Sequence, residues 1–488
     1  MLFNSIEFIV FFVLVLAIIS ALKYKKFQHI FLLISSYVFF YFSSNILITL
    51  LIFSTVLDFY AGKAIFNSKS IRRKKFFLII SLSGNLGLLG FFKYADFGIQ
   101  QFNTLANSIG ISELYLLNLA LPIGISFYTF QTISYTVDIY RGHLKPSKTL
   151  KEFALFVSFF PQLVAGPIVR AKDFLPQLRE KFDNASSNGI RQIILQNPNL
   201  KIGITIMSLG FFKKMFFADN IAPLVNDIFA NPIGLDSFTI ILGAIGFGIQ
   251  IYCDFSGYSD IAIGVALILG FKLPMNFNKP YFATSPSDFW KRWHISLSSW
   301  LRDYLYIPLG GNKKSSGRIF LNLMTVMFLG GLWHGASWNF VIWGILHGIY
   351  LSIDKILQSR FSNSKYTSFF KTKSGKIISI LITQYLIFLT WIPFRVNDFD
   401  GIVYSMQKYV FLDFQISETI FFITSHKLSV AILILFLVFH FIIFRKQVLI
   451  EKLSKLNPFI WCLFLFSIFL SILILYDGNP ENFIYFKF

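Results

Sequence analysis

Charged residues are scarce in this chain. Asp, Glu, Lys and Arg make up 14% of its 488 residues, against roughly 25% in a typical soluble domain. Hydrophobic residues make up 55% and aromatic residues 19%. Apolar runs of spanning or near-spanning length recur about fourteen times, and some are too short to cross a bilayer alone. The composition therefore excludes a soluble globular protein and predicts an all-α polytopic membrane protein with roughly eleven transmembrane helices.

Cysteine and the common catalytic signatures are also nearly absent. The two cysteines, Cys253 and Cys462, lie in or beside apolar sequence, which argues against a disulfide framework or a thiolate metal site. The chain contains no His-Glu-x-x-His zinc motif, no Walker loop and no Gly-x-Ser-x-Gly elbow. We therefore predict no metal site. Since no polar segment is long enough for a separate soluble domain, we predict one integral membrane domain over residues 1–488.

Basic residues collect in alternate loops between the apolar runs. The formal charge of +20 is therefore explained by membrane topology rather than by nucleic-acid binding, and basic loops after the first, third and fifth spans place the N-terminus outside. We expect a multi-pass protein of the inner membrane whose first helix is retained as an anchor, because its lysines follow the apolar run. The clearest predicted spans are Phe8–Leu22, Phe27–Phe42, Ile46–Tyr60, Phe76–Phe92, Leu116–Tyr135, Ile202–Phe217, Phe238–Tyr252, Ile377–Phe394, Leu428–Phe444 and Phe459–Leu475.

Two segments depart from this regular pattern. Phe153–Val169 is apolar but has basic residues at both ends and is interrupted by Pro161, Gly166 and Pro167, which favours a re-entrant or in-plane element over a kinked span. The polar segment Phe182–Leu200 is typical of a surface loop.

His334 is the first candidate for chemistry. It lies in Trp333-His334-Gly335, within a 35-residue stretch, Ile319–Ile353, that contains no Asp, Glu, Lys or Arg. An ionisable group in such a stretch is a functional candidate, and an imidazole kept neutral by burial can accept a proton. The alternative is a histidine that only donates a hydrogen bond between helices. His347 lies in the same stretch and is expected to pack elsewhere.

The second candidate segment begins at Ser287 and runs to Pro308. Ser287 is the predicted N-cap, and Trp290, Trp293, Leu297 and Leu301 recur at helical spacing, so we predict one interfacial amphipathic helix. Lys291, Arg292 and Arg302 lie elsewhere on this helix, and Asp288 lies in its first turn. His294 is four residues after Trp290, which predicts that it points toward the protein core.

Other polar groups give weaker signals. Gly310 and Gly311, followed by Asn312 and nearby lysines, could hold a phosphate, but a basic loop beside anionic lipid explains them better. Asp254 and Asp260 could bind a cation, yet a polar break with side chains capping the backbone is favoured between Tyr252 and Asp260. Lys213 and Lys214 end an apolar run and are expected to reach toward the membrane surface.

Several strings of this sequence resemble the membrane-bound O-acyltransferases, and within them the bacterial alginate and peptidoglycan O-acetylases. The strings are DFWKRWHISLSSWLRDYLYIPLGGN from Asp288, FLGGLWHGASWNFVIWG from Phe328, PQLVAGPIVR from Pro161 and YCDFSGYSDIAIG from Tyr252. The core of the resemblance covers residues 121–350. The C-terminal residues Asn482–Phe486 also match, although Lys487 stands where a glutamine is expected.

The resemblance implies a fold and roles for particular residues. It implies in-plane and re-entrant helices around a buried active-site tunnel, with His334 as catalytic base and His294 as the second polar active-site position. His294 would position the donor or acceptor, or stabilise charge on the carbonyl oxygen. Residues expected to bind substrate are Trp333, Trp290, Trp293, Asp288, Lys291, Arg292, Arg302 and Asn312.

The resemblance also implies the reaction and its participants. Acetyl-CoA is the expected cytoplasmic donor, with no permanently bound cofactor, and an exported cell-surface polysaccharide, alginate-like or peptidoglycan, is the expected acceptor. A separate extracytoplasmic acetyltransferase is the expected partner, alongside the lipid bilayer. Two alternatives stay open: D-alanyl transfer to teichoic acid, and a non-enzymatic glycan transporter or flippase. The sequence names neither the acceptor nor the oligomeric state.

Overall fold

The computed structural model of this chain is helical, with no β-strand in the residues that it describes. It describes residues 1–488 except 2, 165, 184–188, 191–193, 195–198, 361–367, 371, 446–448, 477–482 and 485–488. Much of the predicted surface loop Phe182–Leu200 and most of the C-terminal string Asn482–Phe486 lie outside these residues.

The helices follow one another with short connections. In the N-terminal part they are α1 (Ile6–Ala21), α2 (Lys25–Ser44), α3 (Ile48–Asn67), α4 (Ile71–Ser108), α5 (Ile125–Tyr140), α6 (Leu150–Ser158), α7 (Phe160–Leu163) and α8 (Ala171–Phe182). They continue as α9 (Leu200–Phe211), α10 (Asp219–Ala230), α11 (Ser237–Ile268), α12 (Pro286–Trp290), α13 (Ile295–Leu301), α14 (Ser316–His334), α15 (Trp338–Arg360) and α16 (Lys373–Arg395). The last are α17 (Phe399–Val410), α18 (Ser417–Ser425), α19 (Lys427–Arg445), α20 (Leu449–Ser454) and α21 (Pro458–Leu475).

Length and hydropathy identify the helices that can cross a membrane. Within the described residues, seven helical segments pass this test, with α2 and α3 counted together as Lys25–Asn67. The number is eight if α18 and α19, which meet at a bend of 91°, form one broken span. Large apolar side chains such as Phe459 and Ile474 on α21 are exposed, as lipid-facing residues are. The chain is therefore a multi-pass membrane protein, while the figure of roughly eleven spans stays a prediction.

Two predicted boundaries are wrong. Leu116–Tyr135 is not one span, because helix α5 begins only at Ile125, after Pro122 and after Gly124 in the left-handed conformation at φ 81°. Proline disfavours the helical conformation in the residue before it, which explains the late start. The predicted polar break between Tyr252 and Asp260 is absent as well, since α11 runs without interruption from Ser237 to Ile268.

The interruption predicted between Phe153 and Val169 is confirmed. Helix α6 ends at Ser158, Phe159 takes a non-helical conformation at φ −51° and ψ 108°, and α7 restarts with Pro161 in its first turn. Proline suits that position because its missing N–H has no helical acceptor there. The path of this element through the bilayer stays a prediction.

The chain divides into two compact units, residues 1–207 with 261–274 and residues 208–260 with 275–488. In the first unit, the buried carboxylate of Asp58 on α3 lies 2.6 Å from Ser81 Oγ and 2.7 Å from Asn85 Nδ2 of α4. In the second unit, the core is rich in aromatic rings, among them Trp293 and Trp343. Both candidate histidines belong to the second unit, so the site can be described within it alone.

Candidate active site

The segment that carries His294 begins with a capped single turn, α12. Ser285 is its N-cap, because its Oγ accepts a hydrogen bond from the Asp288 backbone N–H at 3.2 Å, and Pro286 follows in the first turn. The predicted N-cap, Ser287, is wrong: its backbone N–H donates to Asp354 Oδ2 at 3.0 Å. Asp288 also accepts a hydrogen bond from Arg292 Nε at 2.8 Å, so these two predicted substrate-binding residues pair with each other.

The predicted single amphipathic helix is in fact broken at His294. Helix α12 ends at Trp290, His294 takes a left-handed conformation at φ 44° and ψ 54°, and α13 starts at Ile295. The segment around Asn276 takes a backbone hydrogen bond that a continuous helix would use, since the Ile295 N–H donates to Asn276 O at 2.9 Å. The predicted inward face is nevertheless confirmed, since Trp290, Trp293, Leu297 and Leu301 are all buried.

A left-handed conformation is unfavourable for a residue that is not glycine, by about 1–2 kcal/mol. His294 adopts it while fully buried, which turns its imidazole into the core as predicted. Its ring centroid lies 4.7 Å from that of Phe255 on α11, edge to face. The unfavourable backbone conformation therefore persists because surrounding side chains pack against the imidazole and fix its orientation.

A small hydrogen-bond network holds the His294 ring. Its Nδ1 lies 3.1 Å from Asn276 Oδ1. The same oxygen accepts hydrogen bonds from Ser296 N at 3.3 Å and Ser296 Oγ at 2.9 Å, while Asn276 Nδ2 donates to Ser259 Oγ at 3.2 Å. Burial lowers the pKa of His294 from 6.5 to about 3, so the imidazole is neutral at physiological pH.

His334 is the last residue of α14, where the chain turns back into α15. The two helices approach closely because small residues face each other: a Cβ on Gly331 would lie 2.2 Å from Phe340 O, and one on Gly344 would lie 2.4 Å from Met327 O. Glycine is required at both positions for this approach. The resulting hairpin buries the His334 imidazole at the turn between the two helices.

Aromatic rings surround His334 and connect it with His294. The His334 ring centroid lies 4.9 Å from Trp343 and 5.3 Å from Phe394, both edge to face. The Trp333 ring lies 5.0 Å from His334 and 6.0 Å from His294. The two predicted catalytic histidines, forty residues apart in sequence, are thus neighbours of the same indole.

His347 belongs to this cluster too, and the expectation that it packs elsewhere is wrong. Its ring lies 4.6 Å from Trp343, which also contacts His334. Trp290 Nε1 donates to His347 Nδ1 at 3.3 Å, and His347 Nε2 lies 3.1 Å from Thr390 Oγ1. The hairpin explains the position, since it folds the start of α15 back along the end of α14. The sequence signal for this position is the 13-residue spacing between His334 and His347, which brings the two histidines near each other when the chain reverses direction between them.

The remaining predicted substrate-binding residues lie at the surface of the second unit. Lys291, Arg302 and Asn312 are exposed. Arg302 Nε donates to Asp303 at 2.7 Å, and Tyr306 Oη donates to Asn312 Oδ1 at 2.7 Å. Arg302 and Asn312 thus pair with neighbouring residues, and the role of all three exposed side chains in binding a donor stays a prediction.

The acidic residues of α11 pair with lysines. Lys214 Nζ lies 2.7 Å from both Asp254 Oδ1 and Asp219 Oδ1, and Lys213 Nζ lies 2.6 Å from Asp260 Oδ2. The Lys214 side chain is only 2% exposed, so the expectation that it reaches toward the membrane surface is wrong. A buried charge requires a partner, and the lysines supply it. Asp254 also caps a backbone group as predicted, since the Ile484 N–H donates to its Oδ2 at 2.8 Å.

Asn276 is the residue that sequence reasoning missed. It lies in a short segment after α11, outside every motif singled out above, and it is 1% exposed. Its contacts with Ser259, His294 and Ser296 are with residues 17, 18 and 20 positions away in sequence, so only the folded chain brings them together. An asparagine in a short connection gives no local signal of such a role.

The chain matches known proteins across this region. A family model described as MBOAT, membrane-bound O-acyltransferase family, matches residues 140–392, which include all three histidines of the cluster. The chain is 41% identical over 361 residues to the "Probable alginate O-acetylase" of Pseudomonas aeruginosa, covering 73% of this chain and 66% of that protein. It is 37% identical over 403 residues to the peptidoglycan O-acetyltransferase of Helicobacter pylori, covering 78% of this chain and 73% of that protein.

A more distant relative represents the second predicted activity. The chain is 28% identical over 284 residues to the teichoic acid D-alanyltransferase of Bacillus subtilis, covering 55% of this chain and 67% of that protein. All three relatives are named for transfer of an acyl group, and two of them match more than seven tenths of the chain. With the family match over the histidine cluster, they show that this chain belongs to the membrane-bound O-acyltransferase family and is an O-acyltransferase.

Proposed function

We propose that this protein moves an acetyl group from cytoplasmic acetyl-CoA across the inner membrane for O-acetylation of an exported cell-surface polysaccharide, either an alginate-like exopolysaccharide or peptidoglycan. One observation carries the proposal: two buried histidines, His294 and His334, are neighbours of the indole of Trp333 in the region that matches the family. The names of the alginate and peptidoglycan relatives support acetyl as the acyl group and a polysaccharide as the acceptor.

The proposed chemistry is attack of an acceptor hydroxyl on the thioester carbonyl. The hydroxyl oxygen forms the new ester bond, the carbon–sulfur bond breaks, and the hydroxyl proton passes through His334 to the departing thiolate. The products are the acetyl ester and CoA as a free thiol. General-base assistance of this kind contributes about 100- to 10,000-fold to the rate. The aromatic walls around His334 keep bulk water away from the thioester and so limit its hydrolysis.

The donor is proposed to bind through its phosphates on the cytoplasmic side. Lys313, Lys314 and Arg318 are exposed near the glycine turn, where Gly310 and Gly311 adopt positive φ values of 113° and 52°. Together with Lys291 and Arg292 they supply the charge that phosphate recognition needs. Acetyl-CoA is a substrate in this scheme, and no resident cofactor or metal is invoked.

The rest of the relay is proposed to lie in a second protein. An extracytoplasmic acetyltransferase would take the acetyl group and place it on the polysaccharide, with the N-terminus of the present chain on the outer side. D-alanyl transfer to teichoic acid is the second candidate, favoured by the Bacillus relative but over a smaller share of the chain. Family membership favours an enzyme over the transporter or flippase alternative.

The proposal can be tested in a strain from which the gene is deleted. The strain would carry the wild-type gene, His334→Ala or His347→Gln, each expressed at the same level in the membrane. Ester-linked acetyl groups on the cell-surface glycans are then measured. We expect wild type and His347→Gln to restore them and His334→Ala to fail. His347→Gln is a matched control because it alters a second buried histidine of the same helical hairpin.

The other outcomes are equally informative. Restoration by His334→Ala would show that His334 is a packing residue and would overturn its role as base. Return of ester-linked D-alanine without acetyl ester would replace the proposal with its second candidate. Acetyl-CoA carrying a labelled acetyl group, supplied to permeabilised cells, tests the donor: the label should appear in the glycan with the wild type and His347→Gln but not with His334→Ala.

A further inference from the structure

The contacts of Asn276 determine which of its two terminal atoms is the oxygen. The Ser296 backbone N–H can only donate, and it lies 3.3 Å from the atom placed as Oδ1. Ser296 Oγ lies 2.9 Å from the same atom, while the other terminal atom of Asn276 donates to Ser259 Oγ at 3.2 Å. An amide oxygen accepts hydrogen bonds and cannot donate them. The atom facing His294 is therefore an acceptor.

This assignment decides the state of the imidazole. A neutral imidazole has one protonated nitrogen and one nitrogen with a lone pair. Because His294 Nδ1 lies 3.1 Å from the accepting Asn276 Oδ1, the proton is on Nδ1 and the lone pair is on Nε2. A hydrogen bond to one ring nitrogen commonly sets the state of the other in this way.

We infer that Asn276 is a positioning residue that holds His294 in the Nδ1-protonated form, so that Nε2 accepts a hydrogen bond from a substrate O–H or N–H other than the attacking hydroxyl. The inference rests on the proposed function and refines it. Two roles were open for His294: positioning a substrate, or stabilising negative charge on the carbonyl oxygen. An oxyanion requires a donor, and Nε2 with its lone pair cannot be one. His294 therefore positions a substrate through the hydrogen bond that its Nε2 accepts, while His334 takes the proton of the attacking hydroxyl.

The surroundings support a fixed ring. Asn276 and His294 are 1% and 0% exposed, and the ring centroids of Phe255 and Trp333 lie 4.7 Å and 6.0 Å from that of the imidazole. The carboxylates of the adjoining helix α11, Asp254 and Asp260, are paired with lysines. Asn276 is thus the hydrogen-bonding partner that sets the orientation of Nδ1, and rotation of the ring would break that bond.

The state of the ring can be measured without any acyl transfer. The full-length protein, labelled with ¹⁵N-histidine and held in lipid nanodiscs, is studied by NMR, since a protonated and an unprotonated ring nitrogen have different ¹⁵N shifts. The His294 signals are those lost in His294→Gln. We expect protonated Nδ1 and unprotonated Nε2 in the wild type. A protonated Nε2 in the wild type would overturn the inference.

Substitution of Asn276 tests whether this residue sets the protonation of the His294 ring. In Asn276→Ala, we expect the His294 signals to move toward an average of the two neutral forms. Asn278→Ala is the matched control, because Asn278 is the same residue type two positions along and its side chain is exposed. Asn276→Asp keeps an acceptor opposite Nδ1 and should preserve the wild-type pattern. Unchanged His294 signals in Asn276→Ala would show that packing alone sets the ring and would also overturn the inference.

Acyl transfer then tests whether the orientation matters. We expect Asn276→Ala to lower the ester-linked acetyl formed per molecule about 10- to 100-fold, by analogy with residues that orient metal-bound histidines. In a His294→Ala background the same substitution should change transfer less than about threefold, because the two residues act as a unit. Equal effects in both backgrounds would overturn the inference.

These arms separate the inference from the proposed function. If His334→Ala leaves acetylation intact while the ring signals behave as expected, the proposed chemistry fails and the orientation of His294 stands. If acetylation requires His334 but Asn276→Ala leaves the His294 signals unchanged, the positioning role fails and the proposed function stands.

Discussion

His294 and His347 are both fully buried among aromatic rings, yet their hydrogen bonds differ. His347 is bridged at both ring nitrogens, by Trp290 at Nδ1 and by Thr390 at Nε2. Since Thr390 Oγ1 donates to Ile387 O at 2.7 Å, it accepts from His347, whose proton is therefore on Nε2. His294 has the opposite form, with its proton on Nδ1 and its lone pair on Nε2.

The difference shows that burial alone does not identify a catalytic histidine. His347 lies on α15 and links it to α12 and α16 through its hydrogen bonds with Trp290 and Thr390. Such contacts indicate a structural role. His294 lies on a strained turn between two short helices, where the local backbone is held by Asn276. Strained backbone conformations that persist in a folded protein cluster at functional sites.

Substitution of His294 should produce the largest difference between the two residues. We expect His294→Gln to lower acetyl-ester formation about 100-fold or more, because the substrate is no longer positioned by the lone pair of His294 Nε2. The rate is measured per molecule of protein in the membrane. His347→Gln should retain at least a third of the wild-type rate. Equal losses in the two variants would remove the distinction between the catalytic and the structural histidine.

His347 should matter for stability instead. In His347→Phe the indole N–H of Trp290 loses its acceptor while remaining buried, which costs about 1–3 kcal/mol. We expect a lower midpoint of thermal unfolding in detergent. The rate per folded molecule should stay within about threefold of the wild type. A large loss of rate with an unchanged midpoint would place His347 in the reaction.

The sequence predicted much of this region, but for an incomplete reason. His294 was expected in the core because it follows Trp290 by one helical turn, and it is in the core although the helix is broken between them. The break depends on Asn276, whose backbone and side chain bind the segment from outside. Apolar periodicity reports burial, whereas the hydrogen bonds that end a helix can come from residues far away in sequence.

The same limit explains the errors on α11. The polar residues between Tyr252 and Asp260 were expected to interrupt a helix, and instead the helix continues because Asp254 pairs with the buried Lys214. The apolar runs, by contrast, predicted helices such as α1 and α16 to within about four residues, since spanning length is a local property. Pairing partners of buried charges cannot be read from local sequence.

Ser296 and Thr390 give a smaller, matched test. Ser296→Ala removes the hydroxyl that lies 2.9 Å from Asn276 Oδ1, and Thr390→Val removes the acceptor opposite His347 Nε2. Each should cost about 0.5–1.5 kcal/mol of stability. Acetyl transfer should fall several-fold in Ser296→Ala alone, because only that network orients His294. Similar transfer rates in the two variants would indicate that the Asn276 network is purely structural.

Acidification should give the smallest effect. Burial lowers the pKa of His294 from 6.5 to about 3, so between these values the unfolded chain binds a proton that the folded chain does not. Stability contributed by the neutral ring is therefore complete above pH 6.5 and is lost as the pH falls toward 3. At pH 6 the loss is less than about 1 kcal/mol. Unfolding midpoints of the wild type and His294→Gln, measured at pH 7.5 and pH 6, should show the larger decrease in the wild type, because glutamine carries no titrating group. An equal decrease in both proteins would mean that folding does not lower the pKa of His294, which would contradict a ring kept neutral by burial.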